Sequence, residues 1–428
     1  MLVAFHLGRV YTLSLAELFA VFEQKSVPFK IKELYTEVLI IETPAALDFE
    51  SLQRRLGGVV KIIEIVDTLP RKKATDFLSF TLKDYLHPNI IRSHFIKPQA
   101  GKLQLGISIY QAGPDQRLFG QNKRIGMELK RGLTMVGLSS RIVIPEGASL
   151  ALPSVAVTNN LLLQKGAEID LIVTAKQVYV GKTATVQDFQ DYGRRDYQRP
   201  VRDTRIGMLP PKVAQEMINL AKIPESSKAG GEYVLDPFCD SGTILQEAML
   251  MGYYVLGSDV SDKAVEAAEK NLNWFRPRYK LPPNRFEVAV SDVKDLEKNV
   301  MENKKIACVV TEGTLGPPYD KPPGEKEIEK NFKELAKLHT AAFSELYKLL
   351  PAQGRIVIAF PAYRKNSGYV SFPGLDKILE LGYDIQAPLD EKLLAQYPFL
   401  KVTPRRSIIY DRKDQIVVRE IMIFKKTS

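Results

Sequence analysis

The second half of this 428-residue chain alternates β-rich runs with helical patterns, and that alternation constrains its fold more than any other feature. Strands are predicted at 232–235, 255–257, 286–290, 307–310 and 354–360, with helices at 244–251, 261–274 and 325–350. Strands that alternate with helices form a largely parallel, doubly wound sheet, and ligands bind beyond the carboxyl ends of its strands. We therefore expect an α/β, Rossmann-like domain over residues 206–428, ending in a β-hairpin at 408–424.

The first 190 residues follow a different pattern. Up to residue 70 we predict strands at 3–5, 38–41 and 59–66, and a helix at 15–23 with Ser14 as its N-cap. Strands at 103–110, 141–145, 154–158 and 168–174, and a helix at 121–137, are predicted next. The pattern predicts a small α+β domain of ferredoxin-like type over 1–70, a second domain over 71–190 and a polar linker over 191–205.

A surplus of positive charge indicates a partner that carries phosphates. Sixty Lys and Arg residues against fifty Asp and Glu give a net charge of +10. Two basic pairs repeat seven positions apart on one face of the helix predicted at 121–137, namely Lys123, Arg124, Lys130 and Arg131. Such a face either contacts phosphates or is simply solvated, and both interpretations stay open at this point.

Residue usage excludes several classes of protein. Cys239 and Cys308 lie far apart, and the four histidines share no metal-ligand spacing, so we predict neither a disulfide framework nor a metal site. The longest apolar runs, such as 356–360, fall far short of the roughly 18 residues that cross a bilayer. Met1 opens directly into an apolar run without a basic leader, so we expect a cytoplasmic protein with no membrane partner.

The strongest local motif is residues 235–243, L-D-P-F-C-D-S-G-T, where the first strand of the predicted sheet meets the first helix. Its small residues let a ligand approach the backbone amides. The Asp236 carboxylate at the strand end suits a cationic group, such as the ammonium of a methionine moiety. The motif is neither a G-x-G-x-x-G dinucleotide loop nor a P-loop.

Two further carboxylates follow the next two strands. Asp259 closes the second strand, where a carboxylate can accept both hydroxyls of a ribose, and Asp292 follows the third. Either residue alone is more often a helix cap or a surface charge. Three carboxylates at three successive strand ends instead predict one binding site.

This arrangement resembles the class I RNA and DNA methyltransferases, whose first motif reads D-P-F-C-G-S-G-T. Asp240 stands where that family has glycine, which is expected to crowd the pocket or change its charge. The resemblance implies S-adenosylmethionine as cofactor, with Asp292 at the adenine-contacting position. The residues that it implies in cofactor binding are Leu209, Pro210, Asp236, Pro237, Phe238, Ser241, Gly242, Thr243, Asp259 and Asp292.

The region after the fourth strand, T-E-G-T-L-G-P-P-Y at 311–319, departs from that family. Enzymes that methylate an exocyclic amine carry [DNS]-P-P-[YFW] there: a side-chain oxygen accepts from the amine and the aromatic ring stacks on the base. Pro317, Pro318 and Tyr319 match, but Gly316 occupies the acceptor position. Either Glu312 is the acceptor or base and 313–316 is an insertion, or the motif has decayed into a turn. We favour Glu312.

A covalent mechanism through Cys308 is a third possibility for this strand, and we disfavour it. Cys308 lies inside the apolar run 306–310, where a thiol is usually a small buried side chain.

Taken with L-P-P-K at 209–212, the opening at 7–18 and the strand at 102–108, these motifs resemble the tRNA guanine-N2 methyltransferases with an N-terminal THUMP domain, the archaeal position-10 enzymes among them. The resemblance covers nearly the whole chain. It implies a THUMP-like RNA-binding domain over 71–190 and a structured RNA, a tRNA, as partner. Its target base would be flipped out and stacked on Tyr319.

Two other functions stay open. One is a DNA amino-methyltransferase, which shares the Pro-Pro-Tyr chemistry, and the other is a catalytically silent protein that binds S-adenosylmethionine and RNA. Asp240 and Gly316 are the evidence for the silent protein. Some related enzymes require a small activator subunit, so such a partner is also possible here.

Overall fold

A computed structural model describes residues 1–71, 78, 82, 85, 87–96, 101–111, 118, 120–202, 207–283, 285–299, 304–317, 319, 321–365, 368–412 and 415–427. The chain divides into two compact units. The first comprises Met1–Tyr11, Val27–Arg54 and Val59–Phe189. The second comprises Thr12–Ser26, Arg55–Gly58 and Gln190–Ser428.

An eight-stranded sheet forms the first unit, in the order β2-β3-β1-β4-β8-β7-β5-β6. Its strands are β1 (Leu2–Leu7), β2 (Lys30–Leu34), β3 (Val38–Glu42), β4 (Val59–Pro70), β5 (Leu103–Gln111), β6 (Ser140–Val143), β7 (Gly166–Val173) and β8 (Gln177–Val186). The helices between them are α2 (Phe49–Arg55), α3 (Pro88–Phe95), α4 (Gln121–Met135) and α5 (Ser154–Asn159). Because β4 pairs with β8, the two predicted domains 1–70 and 71–190 each contribute four strands to one sheet.

One predicted strand of this unit is wrong. Residues 154–158 form helix α5 instead, which starts directly after Pro153. A half-buried strand would place Val155 and Val157 on the same face. Val157 is fully buried while Val155 is 44% exposed, so only a helical turn satisfies both residues.

The basic residues of α4 lie on its outer side. Lys123, Lys130 and Arg131 are exposed, and Arg124 donates to Glu128 across 3.2 Å. The opposite side of the helix buries Leu129 and Leu133. The structure thus places the four basic side chains away from the core, and contact with RNA stays a prediction.

A nine-stranded sheet forms the second unit, with the main order β11-β10-β9-β12-β13-β17-β15. Its strands are β9 (Glu232–Asp236), β10 (Tyr254–Asp259), β11 (Phe286–Val290), β12 (Lys305–Glu312), β13 (Arg355–Lys365), β14 (Gly368–Ser371), β15 (Tyr383–Gln386), β16 (Ile408–Tyr410) and β17 (Val417–Lys426). Strands β9 to β13 run parallel, whereas β15, β16 and β17 pair antiparallel. The α/β, Rossmann-like prediction with a terminal hairpin is confirmed.

The second unit also contains the helices that alternate with or flank the strands of this sheet. They are α1 (Tyr11–Gln24), α6 (Phe189–Tyr197), α7 (Pro211–Leu220), α8 (Thr243–Leu250), α9 (Asp262–Arg278), α10 (Leu296–Asn299), α11 (Glu325–Leu349), α12 (Leu375–Leu379) and α13 (Glu391–Gln396). Strand order reverses between β9 and β12, the place where sheets of this kind bind ligands.

Helix α1 begins earlier than the sequence predicted, and Ser14 is not its N-cap. Ser14 is buried inside the helix and its hydroxyl donates to Glu216 across 3.4 Å. One turn later, Glu17 accepts hydrogen bonds from the Gly57 and Gly58 amides, both at 2.8 Å. Burial raises the pKa of Glu17 to about 7. Ser14, which the sequence predicted to cap the helix, and Glu17 therefore both serve tertiary contacts.

Helix α6 covers nearly the first half of the predicted linker 191–205, up to Tyr197. Arg195 is buried and forms ion pairs with Glu247 and Asp191, each at 3.2 Å. Tyr279 also donates to Asp191, at 2.7 Å. These charges looked like a solvated linker in the sequence, but they pair across helices, and paired buried charges are structural. Residues 203–206 lie outside the described part of the chain.

Candidate active site

A cavity of about 300 Å³ opens where strands β9 to β12 end. It contains five carboxylates, those of Asp236, Asp240, Asp259, Asp292 and Glu312, and no Lys or Arg among its described lining residues. The remaining lining residues are Leu209, Pro237, Phe238, Cys239, Thr243, Ile244, Val260, Ser291, Val293, Gly313, Thr314, Leu315, Gly316 and Leu338. A cavity with this charge favours a cationic ligand.

The loop between β9 and α8 forms one wall of the cavity. Gly242, with φ +83°, caps helix α8, and its amide donates to the Cys239 carbonyl at 2.8 Å. Asp240 also adopts a left-handed φ of +42°, a backbone conformation that glycine adopts readily and that aspartate tolerates better than most residues. The Asp240 side chain is exposed, so it adds negative charge to the rim rather than filling the pocket.

Asp236, at the end of β9, is the most buried acid of the site. It is 2% exposed and accepts a 2.6 Å hydrogen bond from the Thr311 hydroxyl and a 3.3 Å bond from the Phe238 amide. Burial raises the pKa of Asp236 to about 8, against the opposing effect of these two donors. Near neutral pH and without a cation beside it, this carboxyl group is therefore largely protonated.

Asp259 is the last residue of β10, and Asp292 lies just after the end of β11. Asp259 accepts from the amides of Ser261 at 3.0 Å and Asp240 at 3.2 Å, which fixes both its oxygens, and burial raises its pKa. Asp292 accepts from the Lys294 amide at 3.0 Å and caps a short 3₁₀ helix. Asp292 thus combines the helix-capping role that the sequence suggested with a place in the cavity wall, whereas helix α9 is capped by Ser261 and Asp259 lines the cavity without capping it.

Glu312 is the last residue of β12 and lies on the same cavity. Its Oε1 accepts a hydrogen bond from Nε of Arg419, a fully buried residue of β17. Glu312 keeps 21% of its side chain exposed. An acid at this strand end agrees with the interpretation in which Glu312 is the acceptor and 313–316 an insertion.

The insertion is shaped by two glycines. Gly316 has φ +88°, and a Cβ there would lie 2.3 Å from Nδ2 of Asn331. A Cβ on Gly313 would lie 2.6 Å from Cε1 of His339. A larger residue at either position would have to displace the buried side chain of Asn331 or His339, and a residue at 316 would also be strained by its positive φ.

Pro317 and Tyr319 of the Pro-Pro-Tyr sequence are not among the described residues that line the cavity. Pro317 is exposed and is not a lining residue, and Pro318 is outside the described residues. Tyr319 packs edge-on against Tyr363 with ring centroids 6.0 Å apart. Stacking of a base on Tyr319 therefore stays a prediction.

Most of the predicted cofactor residues converge on the cavity. Leu209, Asp236, Pro237, Phe238, Thr243, Asp259 and Asp292 line it. Ser241 and Gly242 belong to the loop that forms one wall of the cavity. Pro210 follows Leu209 in the chain and is the N-cap residue of helix α7.

Sequence reasoning missed the residues that hold this loop in place. Asn271 of α9 donates to the Ser241 carbonyl at 2.9 Å and exchanges hydrogen bonds with the backbone of Val201. Arg199, also buried, donates to the Thr243 hydroxyl at 2.7 Å. The only sequence signal was a polar residue, Asn271, on the apolar face of α9 between Ala268 and Leu272.

Neither metal ligands nor membrane-spanning helices are found in the described ranges. No group of three His, Cys, Asp or Glu residues there is arranged to hold a metal ion. No described helix is both long and apolar enough to span a bilayer. His339, which touches the site from α11, is fully buried, and burial lowers its pKa to about 4.

Residues 199–371 match the UPF0020 family, described as an RMKL-like methyltransferase domain. Similar curated proteins are the tRNA (guanine(10)-N2)-dimethyltransferases of Pyrococcus abyssi, 28% identical over 192 residues, and Methanothermobacter thermautotrophicus, 34% identical over 160 residues. A probable enzyme of the same name from Methanothermococcus thermolithotrophicus is 30% identical over 128 residues, 29% of this chain and 70% of the relative. The chain belongs to the tRNA (guanine(10)-N2)-dimethyltransferase family.

Coverage of the longer relatives is partial. The alignments span 45% of this chain and 46% of the Pyrococcus protein, and 37% and 40% for the Methanothermobacter protein. Among solved structures, TrmN from Thermus thermophilus superposes with a TM-score of 0.55 and 16% identity over 99% of both chains. A possible methylase from Clostridium difficile 630 gives 0.51 and 11% identity, over 100% of this chain and 97% of that one. These two structures confirm the fold.

S-adenosylmethionine, the donor expected of a methyltransferase domain, fits the residues present. Its sulfonium and ammonium groups are positive, and the cavity offers carboxylates at the ends of four adjacent strands, with no Lys or Arg among the lining residues that the structure describes. Asp259 stands where a ribose diol can be accepted, beside the apolar, 72% exposed side chain of Val260.

The raised pKa of Asp236 predicts that cofactor binding releases a proton. At pH 7 the Asp236 carboxyl is largely protonated, and a cation bound beside it lowers its pKa and expels the proton. Calorimetric titration of S-adenosylmethionine at pH 7, in buffers of different ionisation enthalpy, should show more proton release from the wild type than from Asp236→Asn. The difference should fall to about half near pH 8 and disappear about two pH units higher.

Asp236→Asn is a suitable comparison because its amide oxygen can still accept from Thr311 and Phe238. Equal proton release from both proteins at pH 7 would contradict this assignment of Asp236.

Proposed function

We propose that this chain transfers the methyl group of S-adenosylmethionine to the exocyclic N2 of a guanosine in tRNA. The observation that carries the proposal is the position of Glu312: a carboxylate ends β12 on the same cavity as Asp236, Asp259 and Asp292. Family membership supports tRNA as the substrate, since the relatives are named for guanosine 10.

The chemistry requires hydrogen-bond acceptors at the amine. The lone pair of guanine N2 is delocalised into the ring, and acceptors for its two hydrogens direct electron density outward for attack on the methyl group. When bound, S-adenosylmethionine supplies that methyl group on a positively charged sulfur and leaves as a neutral thioether. Glu312 can accept one amine hydrogen through Oε2, because Oε1 is held by Arg419.

The segment 313–316 lines the cavity next to Glu312 and can supply a second acceptor from its backbone carbonyls. The methylated nitrogen sheds a proton as it returns to neutrality, and the Glu312 carboxylate is a base that can take it. Glu312 is thus proposed as acceptor during transfer and as the first proton acceptor after it.

Replacement of Glu312 tests this role. Glu312→Gln keeps the length and one acceptor oxygen but removes the charge, so kcat should fall by about 100-fold or more while affinity for S-adenosylmethionine changes little. The measurement is transfer of labelled methyl to an unmodified tRNA transcript, with nucleoside mass spectrometry for N2-methylguanosine.

The same assay separates the competing functions. Transfer to duplex DNA in preference to tRNA would indicate a DNA amino-methyltransferase. A protein that binds both cofactor and tRNA but transfers no methyl group would be the silent binding protein. The second outcome has one structural observation in its favour, since Tyr319 packs against Tyr363 instead of facing the cavity.

The basic face of α4 is proposed to contact tRNA phosphates. Lys130 and Arg131 are exposed, and neither is paired with an acid among the described residues. Their loss should weaken binding at every tRNA sequence equally, because phosphate contacts carry no sequence information.

A Lys130→Ala, Arg131→Ala variant should therefore bind tRNA more weakly, with a shallower salt dependence. Each lost phosphate contact should reduce the slope of log K against log salt by about 0.7 to 0.9. The comparison is Lys270→Ala, an exposed lysine of α9 whose side chain is 63% exposed. An unchanged slope in the double variant would remove α4 from the tRNA interface.

A further inference from the structure

Arg419 joins three segments of the second unit behind the cavity. Its side chain is completely buried in β17. Nε donates to Glu312 Oε1, Nη1 donates to Gln415 Oε1 at 2.9 Å, and Nη2 donates to the Gly207 carbonyl at 2.5 Å. One guanidinium therefore contacts Glu312 at the end of β12, Gln415 just before β17, and Gly207 in the segment that leads to Leu209.

The charge of Arg419 makes these contacts obligatory. Arginine is not deprotonated in proteins, so a buried guanidinium requires an anionic partner and acceptors for its N–H groups. In the described part of the chain, Glu312 is the one carboxylate that pairs with it. The planar fork of arginine also fixes direction, whereas a lysine ammonium is a point charge.

Because of this pairing, the two oxygens of the Glu312 carboxylate have different surroundings. Oε1 is bound to Arg419, and Oε2 accepts no hydrogen bond from the described residues. The remaining lining charges near Glu312 are all acidic, and Asp236 is the acid whose pKa its charge affects. Among the described residues that line the cavity, none carries a positive charge that could hold the Glu312 carboxylate in place of Arg419.

We infer that Arg419 is the positioning residue for Glu312, holding Oε1 so that Oε2 is presented to the substrate amine. This inference rests on the proposed function and adds the residue that orients Glu312 as the acceptor of the amine hydrogen. It also explains why residue 312 is a glutamate rather than the shorter aspartate. A shorter side chain at 312 would withdraw its carboxylate from Arg419 by about one ångström or more, a misplacement that can cost about 100-fold in rate.

The experiment is a double-mutant cycle on methyl transfer to tRNA. The variants are Arg419→Lys, Glu312→Gln and the double variant, assayed for kcat, for tRNA KM and for binding of S-adenosylmethionine. Arg419→Lys should lower kcat by about 10-fold to 100-fold with tRNA KM unchanged, and it should cause no further loss in the Glu312→Gln background. Glu312→Asp should be impaired as well, although it retains a carboxylate.

Arg405→Lys is the matched control. Arg405 pairs with the buried Glu420 at 3.3 Å and donates to the Phe372 carbonyl, but it does not contact the cavity. It should lower thermal stability without the selective loss of kcat. Melting temperatures of all variants identify any loss that reflects folding alone.

The outcomes separate this inference from the proposed function. Losses from Arg419→Lys and Glu312→Gln that multiply in the double variant would overturn the positioning role while leaving the activity intact. Full activity of Glu312→Asp would likewise overturn it. A wild type that transfers no methyl group to tRNA would overturn the proposed function together with this inference.

Discussion

Repulsion among five carboxylates on one small cavity is the constraint on which the rest of the site depends. The repulsion felt by each acid is reduced in a different way. Asp236 is buried and largely protonated near neutral pH, Asp259 accepts hydrogen bonds from two backbone amides, and Glu312 pairs with a buried arginine. Asp240 and Asp292 remain near solvent. The cavity is therefore arranged to gain most from a ligand that brings positive charge, and a sulfonium cofactor brings it without a metal ion.

The second sheet and its acids were predictable from sequence because each depends on a local pattern. The run E-Y-V-L-D followed by small residues specifies both the strand β9 and the loop that bears Asp236. Asp259 and Asp292 follow by their places after the next strands. Parallel topology then brings all of them to one sheet edge.

The supporting residues were not predictable, because their partners are distant in sequence. Arg419 and Glu312 are separated by 107 positions, and Thr311 and Asp236 by 75. Helix α6 was missed for the same reason: its arginines and aspartate resemble a solvated linker until Glu247 and Tyr279 are placed beside them. The error at α5 arose because a short apolar run has no period that separates strand from helix.

The most direct test of the account replaces the acceptor atom itself. A tRNA transcript in which the target guanosine is replaced by inosine lacks the exocyclic amine but keeps the shape of the base. Methyl transfer should occur to the guanosine transcript, giving N2-methylguanosine, and should be lost with the inosine transcript. Equal transfer to both would show that the acceptor is another atom and that Glu312 does not serve an exocyclic amine.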